Sequence, residues 1–129
     1  MKEIVVVVPC YNEEETLPYI IKALNDVSKK LKPQYSIDYL FVNDGSSDKT
    51  QEILNAESSS NKNIYFREFS KNAGHQSALR AGINAATHYD AVIMMDADMQ
   101  HPPELIEKML NKWKQGYKIV QMLRRDSAG

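Results

Sequence analysis

Asp96, Asp98 and Gln100 stand at alternate positions directly after the apolar run 91–95. Acidic residues are rare inside strands, so these are expected where the chain leaves a sheet. In an extended backbone, alternate side chains project to one side, and these three would then present their oxygens together. Such oxygens suit Mg²⁺ or Mn²⁺ rather than zinc. Two close carboxylates repel unless a cation lies between them, so the spacing favours a divalent-cation site over simple capping of the next helix.

Three other strand-like runs, 2–8, 37–42 and 64–69, are also followed by polar residues. In a parallel sheet the carboxyl ends of all strands meet at one edge, so the four loops are expected to converge on one crevice. The loop residues of interest after these three runs are Pro9, Tyr11, Asn12 and Glu13, then Asn43, Asp44, Gly45 and Ser46, then Lys71, Asn72, Gly74 and His75.

Several of these residues also have an ordinary structural interpretation. Asp44 alone is typical of a turn, and Lys71 is either a solvated lysine or a partner for phosphate. His75 and His101 have no zinc-like spacing, so a capping role is as well supported as a catalytic one. Cys10 has no flanking cation to activate its thiol and is expected to pack as a small apolar residue.

The elements that would position these loops alternate between strands and helices. Beyond the three runs above, strands are predicted at 91–95 and 118–123, with the strand 64–69 nearer an edge. Asn12 is expected to cap a first helix carrying three glutamates in its first turn, and Pro18 must lie near its start. Ser46 or Ser47 is expected to cap a second, short helix that frays into 57–61.

A third predicted helix follows His75 and presents small residues, including Gly82, for close packing on the sheet. A fourth is opened by Pro102 and Pro103 and stopped by Gly116. Alternation of this kind predicts an α/β fold, with three α/β/α layers around a mostly parallel, Rossmann-like sheet.

The composition excludes several classes of protein. A chain of 129 residues is sufficient for one domain. The 16 basic and 17 acidic residues give a net charge of -1, so nucleic acid is not an expected partner. The longest apolar runs, 4–8 and 91–95, are too short to span a membrane, and no signal peptide is expected after Met1. The chain is therefore expected to be soluble, and a single cysteine fits a reducing, cytoplasmic compartment.

Two common nucleotide-binding motifs are missing from the sequence. No Gly-x-Gly-x-x-Gly follows the first strand, and no Gly-Lys-Ser/Thr loop exists, which disfavours a dinucleotide site and a P-loop. A nucleotidyltransferase would need a glycine-rich basic loop after the first strand. This chain has Glu13, Glu14 and Glu15 there, and they would repel a triphosphate.

Four motifs together resemble the family 2 glycosyltransferases: VPCYNE at 8–13, VNDGSSD at 42–48, KNAGHQ at 71–76 and DADMQHPPE at 96–104. They occur in the family's order, and the resemblance spans nearly the whole chain. The last two are most similar to the polyprenyl-phosphate glycosyltransferases, such as dolichyl-phosphate mannose synthase and its bacterial relatives.

The resemblance implies a GT-A fold and a nucleotide-sugar donor, with a UDP-linked sugar favoured over a GDP-linked one. It assigns Asp44 to the nucleotide base and Lys71 to the neighbourhood of the nucleotide. Asp96 would face the ribose and the metal, with Asp98 and Gln100 as metal ligands; of these, Asp98 is the expected catalytic residue. By the same resemblance, the base and ribose pocket is lined by Pro9, Tyr11, Asn12 and Glu13.

The family pattern also implies that residues 1–129 are the donor-binding part of a longer glycosyltransferase. The acceptor half would then be absent, and the full-length protein would lie at the cytoplasmic face of a membrane. A lipid phosphate such as a polyprenyl phosphate is one expected acceptor, and a glycan is the other. Transfer would proceed with inversion. The alternative is a nucleotide-binding fragment with no transferase activity of its own.

Overall fold

The computed structural model describes residues 1–69, 80–82, 84, 87–95, 105–114 and 119–121. Five strands form one sheet in the order β3-β2-β1-β4-β5, and every pair of neighbours is parallel. The strands are β1 (Lys2–Cys10), β2 (Tyr35–Asp44), β3 (Ile64–Phe69), β4 (Ala91–Met94) and β5 (Ile119–Gln121). The described helices are α1 (Leu17–Leu31), α2 (Thr50–Ser60) and α3 (Leu105–Lys114), and residues 80–82 are also helical.

The centre of the sheet is β1, because residues 4–7 pair with β2 on one side and β4 on the other. A strand in this position is covered on both faces, which explains its unbroken apolar sequence. Ile4, Val6 and Val7 have no exposed surface. The predicted first strand is confirmed, although β1 continues through Pro9 to Cys10.

Helices cover both faces of the sheet, so the predicted three-layer architecture is confirmed. One face is packed against α1, α2 and α3 through side chains such as Leu24, Leu54 and Leu110. The other face, which includes Val5, Val7 and Val92, packs against the helical stretch at 80–82.

Helix α1 is the best-anchored of the described helices. Its buried residues recur at helical spacing and are Leu17, Ile20, Ile21, Leu24, Val27 and Leu31. Tyr39 of β2 fixes the helix to the sheet, because its hydroxyl donates to the Leu24 carbonyl at 2.7 Å and also contacts the Ser28 hydroxyl. Burial raises the pKa of Tyr39 to about 12, so this phenol remains a donor at neutral pH. At its outer end, Lys30 forms a 3.3 Å ion pair with Glu107 of α3.

Helix α1 begins later than predicted. Its N-cap is Thr16, its first turn contains no acidic residue, and Pro18 lies in that turn as expected. The prediction that Asn12 caps this helix with three glutamates following is wrong. Asn12 instead has a left-handed backbone, with φ of 53°, and its side chain binds another loop.

Helix α2 also differs from its prediction. Neither Ser46 nor Ser47 caps it; the side chain of Asp48 accepts from the Thr50 N–H at 2.9 Å. Residues 57–60 are helical rather than frayed. The hydroxyls of Ser58, Ser59 and Ser60 donate to carbonyls three or four residues earlier, which is a common arrangement of serines inside a helix.

The remaining predicted elements are confirmed where they are described. The third strand has its predicted bounds and lies at an edge, and β5 pairs in parallel with β4. An added Cβ at Gly82 would lie 3.5 Å from Met94 Sδ and 3.7 Å from Val92 Cγ1, which is the close helix packing expected of this small residue. None of the helices in the described part of the chain is long and apolar enough to cross a membrane.

Candidate functional site

The carboxyl edge of the sheet brings together the loops that follow β1 and β2. Cys10 is the register partner of Asn43, so the two strands end side by side. On the other flank of β1, the Met95 N–H donates to the Val7 carbonyl at 3.1 Å. Strand β4 therefore leads to the same edge at Met95, the residue that precedes the predicted acidic pair in the sequence.

Asn12 joins the loop after β1 to the loop after β2. Its backbone N–H donates to Ser46 Oγ at 2.9 Å. Its side-chain Oδ1 accepts from the N–H of Ser47 at 2.8 Å and from the N–H of Asp48 at 3.3 Å. We call these hydrogen bonds the Asn12 latch. They fix the relative position of two loops that are more than 30 residues apart in sequence.

The Asn12 latch is attached to the sheet through Asn43. This side chain is only 1% exposed, and its Oδ1 accepts from both the N–H and the hydroxyl of Ser46, at 3.2 and 2.5 Å. Its amide group donates to Gln51 Oε1 of α2 at 2.7 Å. Asn43 therefore holds the loop between β2 and α2 in shape.

A second set of contacts lies beneath the Asn12 latch, around Asp48 and Thr50. The Thr50 hydroxyl, which is fully buried, accepts from the Glu13 N–H at 2.9 Å and donates to Asp48 Oδ1 at 2.5 Å. The other carboxylate oxygen of Asp48 accepts from the Glu14 N–H at 3.2 Å. Both loops thus share one hydrogen-bonded network at the start of α2.

The pKa of Asp48 reflects this network. Burial acts to raise the pKa, but the hydrogen bonds donated by the Thr50 hydroxyl and by the N–H groups of Thr50 and Glu14 outweigh it, and the pKa is lowered. Asp48 is therefore ionised at neutral pH, and its charge lies close to the N-terminus of α2, where the helix dipole favours an anion.

Asp44 lies at the last position of β2 and is buried, with 6% of its surface exposed. Successive residues of a strand point to opposite faces, so Asp44 and Asn43 face opposite sides of the sheet. Asn43 faces α2, and Asp44 lies on the opposite face of the sheet, with Val42 of β2 and Pro9 of β1. Asp44 is thus a buried carboxylate at the carboxyl edge of the sheet, and its role in binding a base stays a prediction.

The other predicted pocket residues after β1 are more accessible. Tyr11 is 46% exposed, which leaves its ring available to a planar ligand. Glu13 is partly buried, and its carboxylate accepts from the Thr16 hydroxyl at 3.0 Å. Pro9 is also partly buried. The structure thus brings Pro9, Tyr11, Asn12, Glu13 and Asp44 to one edge of the sheet; their nucleotide-binding roles stay predictions.

Cys10 is buried in the apolar core and 2% exposed. Its thiol donates weakly to the Val8 carbonyl at 3.5 Å, and burial, with a smaller contribution from the charge of Glu13, raises its pKa far above the usual range. The prediction of an unreactive, packed cysteine is confirmed.

The other predicted site residues lie outside the described residues. These are Lys71, Asp96, Asp98 and Gln100, together with the two ambiguous histidines, His75 and His101. Among the residues that are described, no group of three or more His, Cys, Asp or Glu side chains is arranged to hold a metal ion. The metal site at 96–100 stays a prediction, carried by the oxygen ligands that its sequence offers.

Sequence reasoning overlooked the residues that hold the loops in place. Asn43 and Asp48 belong to the segment 43–48 predicted only as a loop and cap, and Thr50 is not singled out by the sequence, whereas in the structure their side chains hold the two loops in place. A signal for them does exist, because Asn, Asp, Ser and Thr side chains readily bond to nearby backbone groups. Their partners, however, lie in a different loop, which local pattern does not show.

Comparison with known proteins identifies the family to which this chain belongs. The profile described as Glycosyl transferase family 2 matches residues 5–129. The bactoprenol glucosyl transferase of Shigella phage SfX is 40% identical over 96% of this chain and 40% of its own length. The undecaprenyl-phosphate 4-deoxy-4-formamido-L-arabinose transferase of Photorhabdus laumondii is 39% identical over 93% of this chain and 36% of its own length.

Solved structures support the same architecture. TarS of S. aureus, residues 1–349 in complex with UDP, superposes with a TM-score of 0.61 at 22% identity, covering 87% of this chain and 32% of that one. This similarity confirms the fold alone. The chain spans about two-fifths of the length of the curated relatives that it matches.

Proposed function

Because this chain belongs to glycosyl transferase family 2, we propose that it is the donor-binding part of an enzyme that transfers a sugar from a nucleotide sugar. The observation that carries the proposal is the position of Asp44. It is a buried carboxylate at the carboxyl edge of a parallel sheet, beside a loop that presents an exposed tyrosine. Ligands of open α/β sheets bind at that edge.

The proposed roles follow the sequence prediction. Asp44 accepts hydrogen bonds from the nucleotide base, and Pro9, Tyr11, Asn12 and Glu13 line the base and ribose pocket. Lys71 lies near the nucleotide. We propose that the nucleotide of the donor is UDP. TarS was solved in complex with UDP, so UDP is the first nucleotide to test.

The proposed cofactor is Mg²⁺ or Mn²⁺, held by Asp96, Asp98 and Gln100. Carboxylate and amide oxygens are suitable ligands for either ion. Such an ion stabilises the negative charge that develops on a departing nucleoside diphosphate. Asp98 is the proposed catalytic residue in this sense, and Asp96 also faces the ribose.

The proposed acceptor is a polyprenyl phosphate. Support comes from two relatives whose names specify bactoprenol and undecaprenyl phosphate. A phosphate monoester is already largely ionised near pH 7, with a second pKa of about 6, so such an acceptor needs no general base. We further propose inversion at the anomeric carbon and action at the cytoplasmic face of a membrane; both rest on the family resemblance.

Calorimetry with UDP and GDP, with and without Mn²⁺, tests the donor site, followed by an assay of transfer to a polyprenyl phosphate. Binding that requires Mn²⁺ and leads to transfer supports the proposal. This chain covers only about two-fifths of the length of its relatives. That coverage favours one alternative, in which the chain binds a nucleotide but transfers no sugar on its own. Binding without transfer or donor hydrolysis would support that alternative.

Asp98→Asn is expected to abolish the metal dependence of nucleotide binding, because an amide is a much weaker ligand for a hard cation than a carboxylate. The fold should be unaffected, as judged by circular dichroism and thermal unfolding. Calorimetry with UDP and increasing Mn²⁺ measures the effect. Unchanged metal-dependent affinity in Asp98→Asn would show that this residue does not bind the ion.

Asp44→Ala is expected to weaken UDP binding about tenfold or more, since loss of a hydrogen bond to a charged group costs roughly 1.5–3 kcal/mol. Binding of free Mn²⁺ should not change. Asp44→Asn removes the charge but keeps the volume of the buried side chain, so it separates the two. Asp26→Ala removes an exposed carboxylate of α1 and is the matched control. Equal loss of metal and nucleotide binding would indicate that Asp44 has a structural role.

A further inference from the structure

The hydrogen bonds of Asn12 run in both directions between the two loops. Its backbone donates to Ser46, and its side chain accepts from Ser47 and Asp48. We infer that Asn12 is a positioning residue, and that the Asn12 latch sets the affinity for the donor nucleotide by holding the two loops together before the nucleotide binds. The inference rests on the proposed function of these loops.

The two loops need such a connection because each carries one part of the proposed pocket. Tyr11 and Glu13 belong to the loop after β1, and Asp44 lies at the start of the loop after β2. If the loops separate, these groups no longer face one ligand. The apparent dissociation constant then rises in inverse proportion to the population with closed loops.

Asparagine suits this position for two reasons. It adopts the left-handed backbone more readily than most residues, and residue 12 has a φ of 53°. Its Oδ1 also supplies the acceptor for two backbone N–H groups. Glycine would keep the backbone conformation without the acceptor, whereas aspartate would keep both. These two substitutions therefore separate the latch from backbone strain.

The hydrogen bonds of the latch are exposed to solvent, so water competes with them. For that reason, the fraction of molecules in which the two loops are held together is sensitive to loss of a single hydrogen-bond acceptor, such as Asn12 Oδ1. Ser46 is the second point of attachment, because its hydroxyl accepts from Asn12 and donates to buried Asn43. Ser46→Ala removes the bond to the backbone N–H of Asn12, and the hydroxyl bond to Asn43 with it, without changing residue 12.

The test uses the full-length gene product and whichever of UDP and GDP the wild type binds more tightly, with Mn²⁺. Asn12→Gly is expected to weaken binding about three- to tenfold, as for a closed population that falls to between roughly a third and a tenth. Asn12→Asp should bind more tightly than Asn12→Gly, because its carboxylate still accepts from the N–H groups of Ser47 and Asp48. The donor KM should rise in Asn12→Gly while kcat is retained, because saturating donor closes the loops.

Hydrogen exchange without nucleotide reports the latch itself. The amides of Ser47 and Asp48 should exchange faster in Asn12→Gly and in Ser46→Ala than in wild type or Asn12→Asp. The control is Asn84→Ala, which changes an exposed asparagine of the helical stretch. It should change neither the nucleotide affinity nor the exchange of the Ser47 and Asp48 amides.

Three results would overturn the inference. Faster exchange with unchanged affinity would show that the latch exists but does not set binding. Weaker binding with unchanged exchange would show that Asn12 acts only as part of the pocket lining and not through the latch. If the wild type binds neither nucleotide, the proposed function itself fails, and this is seen without any variant. Should Asn12→Gly not fold, Ser46→Ala gives the same three outcomes.

Discussion

Asp48 shows how one side chain can serve both a helix and a loop. Its two oxygens accept from Thr50 at the start of α2 and from Glu14 in the neighbouring loop. The carboxylate form makes these contacts and the protonated form loses acceptor capacity. This is why the pKa of Asp48 is lowered in the folded protein.

Removing this carboxylate should therefore destabilise the protein in a pH-dependent way. Asp48→Ala is expected to cost roughly 0.5–2 kcal/mol at pH 7, as for other capping residues. The unfolded pKa is about 3.9 and the folded pKa is lower, so the contribution is complete above about pH 4 and is lost as the pH falls through the folded pKa. Urea unfolding of both proteins at pH 7 and pH 3 measures it.

The difference between wild type and Asp48→Ala should shrink at the lower pH. Asp26→Ala, which removes an exposed carboxylate of α1, controls for a general effect of charge. An equal difference at both pH values would mean that the Asp48 contacts do not depend on its charge.

At the scale of the elements, α1 and α2 are held to the sheet very differently. Helix α1 buries a full apolar stripe, whereas the buried residues of α2 are Thr50 and Leu54. Thr50 and its neighbours also belong to the loop network. The packing of α2 therefore matters for the geometry of the candidate site.

Leu54→Ala is expected to destabilise the protein by roughly 2–5 kcal/mol, because it removes a fully buried side chain and leaves a cavity. Ile53→Ala, at a partly buried position on the same helix, is the matched comparison and should cost less. Urea denaturation measures both. A larger cost for Ile53→Ala would contradict the assigned orientation of α2.

The sequence was a good guide to strands and a poor guide to helix starts. Strand β3 was predicted with its observed bounds because an apolar run between loops depends only on neighbouring residues. The start of α1 was mispredicted because Asn12 followed by acidic residues satisfies local capping rules. Its real partners, Ser47 and Asp48, lie in another loop and are not visible in a local pattern.

The same limit applies to the candidate site. The position of Asp44 at the sheet edge is predictable because it follows a buried strand, which is a local feature. The role of Asn43 was not found, since it depends on Ser46 folding back and on Gln51 of α2. Residues at the end of a strand are thus easier to place from the sequence than residues whose contacts join separate segments.

At the scale of the whole molecule, the sheet order places the most constrained backbone beside the candidate site. Residues 4–7 of β1 have strand neighbours on both sides, and β1 ends in the loop that carries the Asn12 latch. Within the described residues, β3 pairs only with β2 and so has a free edge. In a parallel sheet, an edge strand leaves alternate N–H groups without a strand partner.

Hydrogen exchange should reproduce this difference. We expect slow exchange at every amide of residues 4–7, and alternating slow and fast exchange along β3, because successive amides of an edge strand point toward and away from its neighbour. The measurement is made by NMR on this chain and by mass spectrometry on the full-length gene product. Uniformly slow exchange along β3 in the full-length gene product alone would show that a further segment covers this edge. Fast exchange at residues 4–7 would contradict the sheet order, since that order gives these residues strand neighbours on both sides.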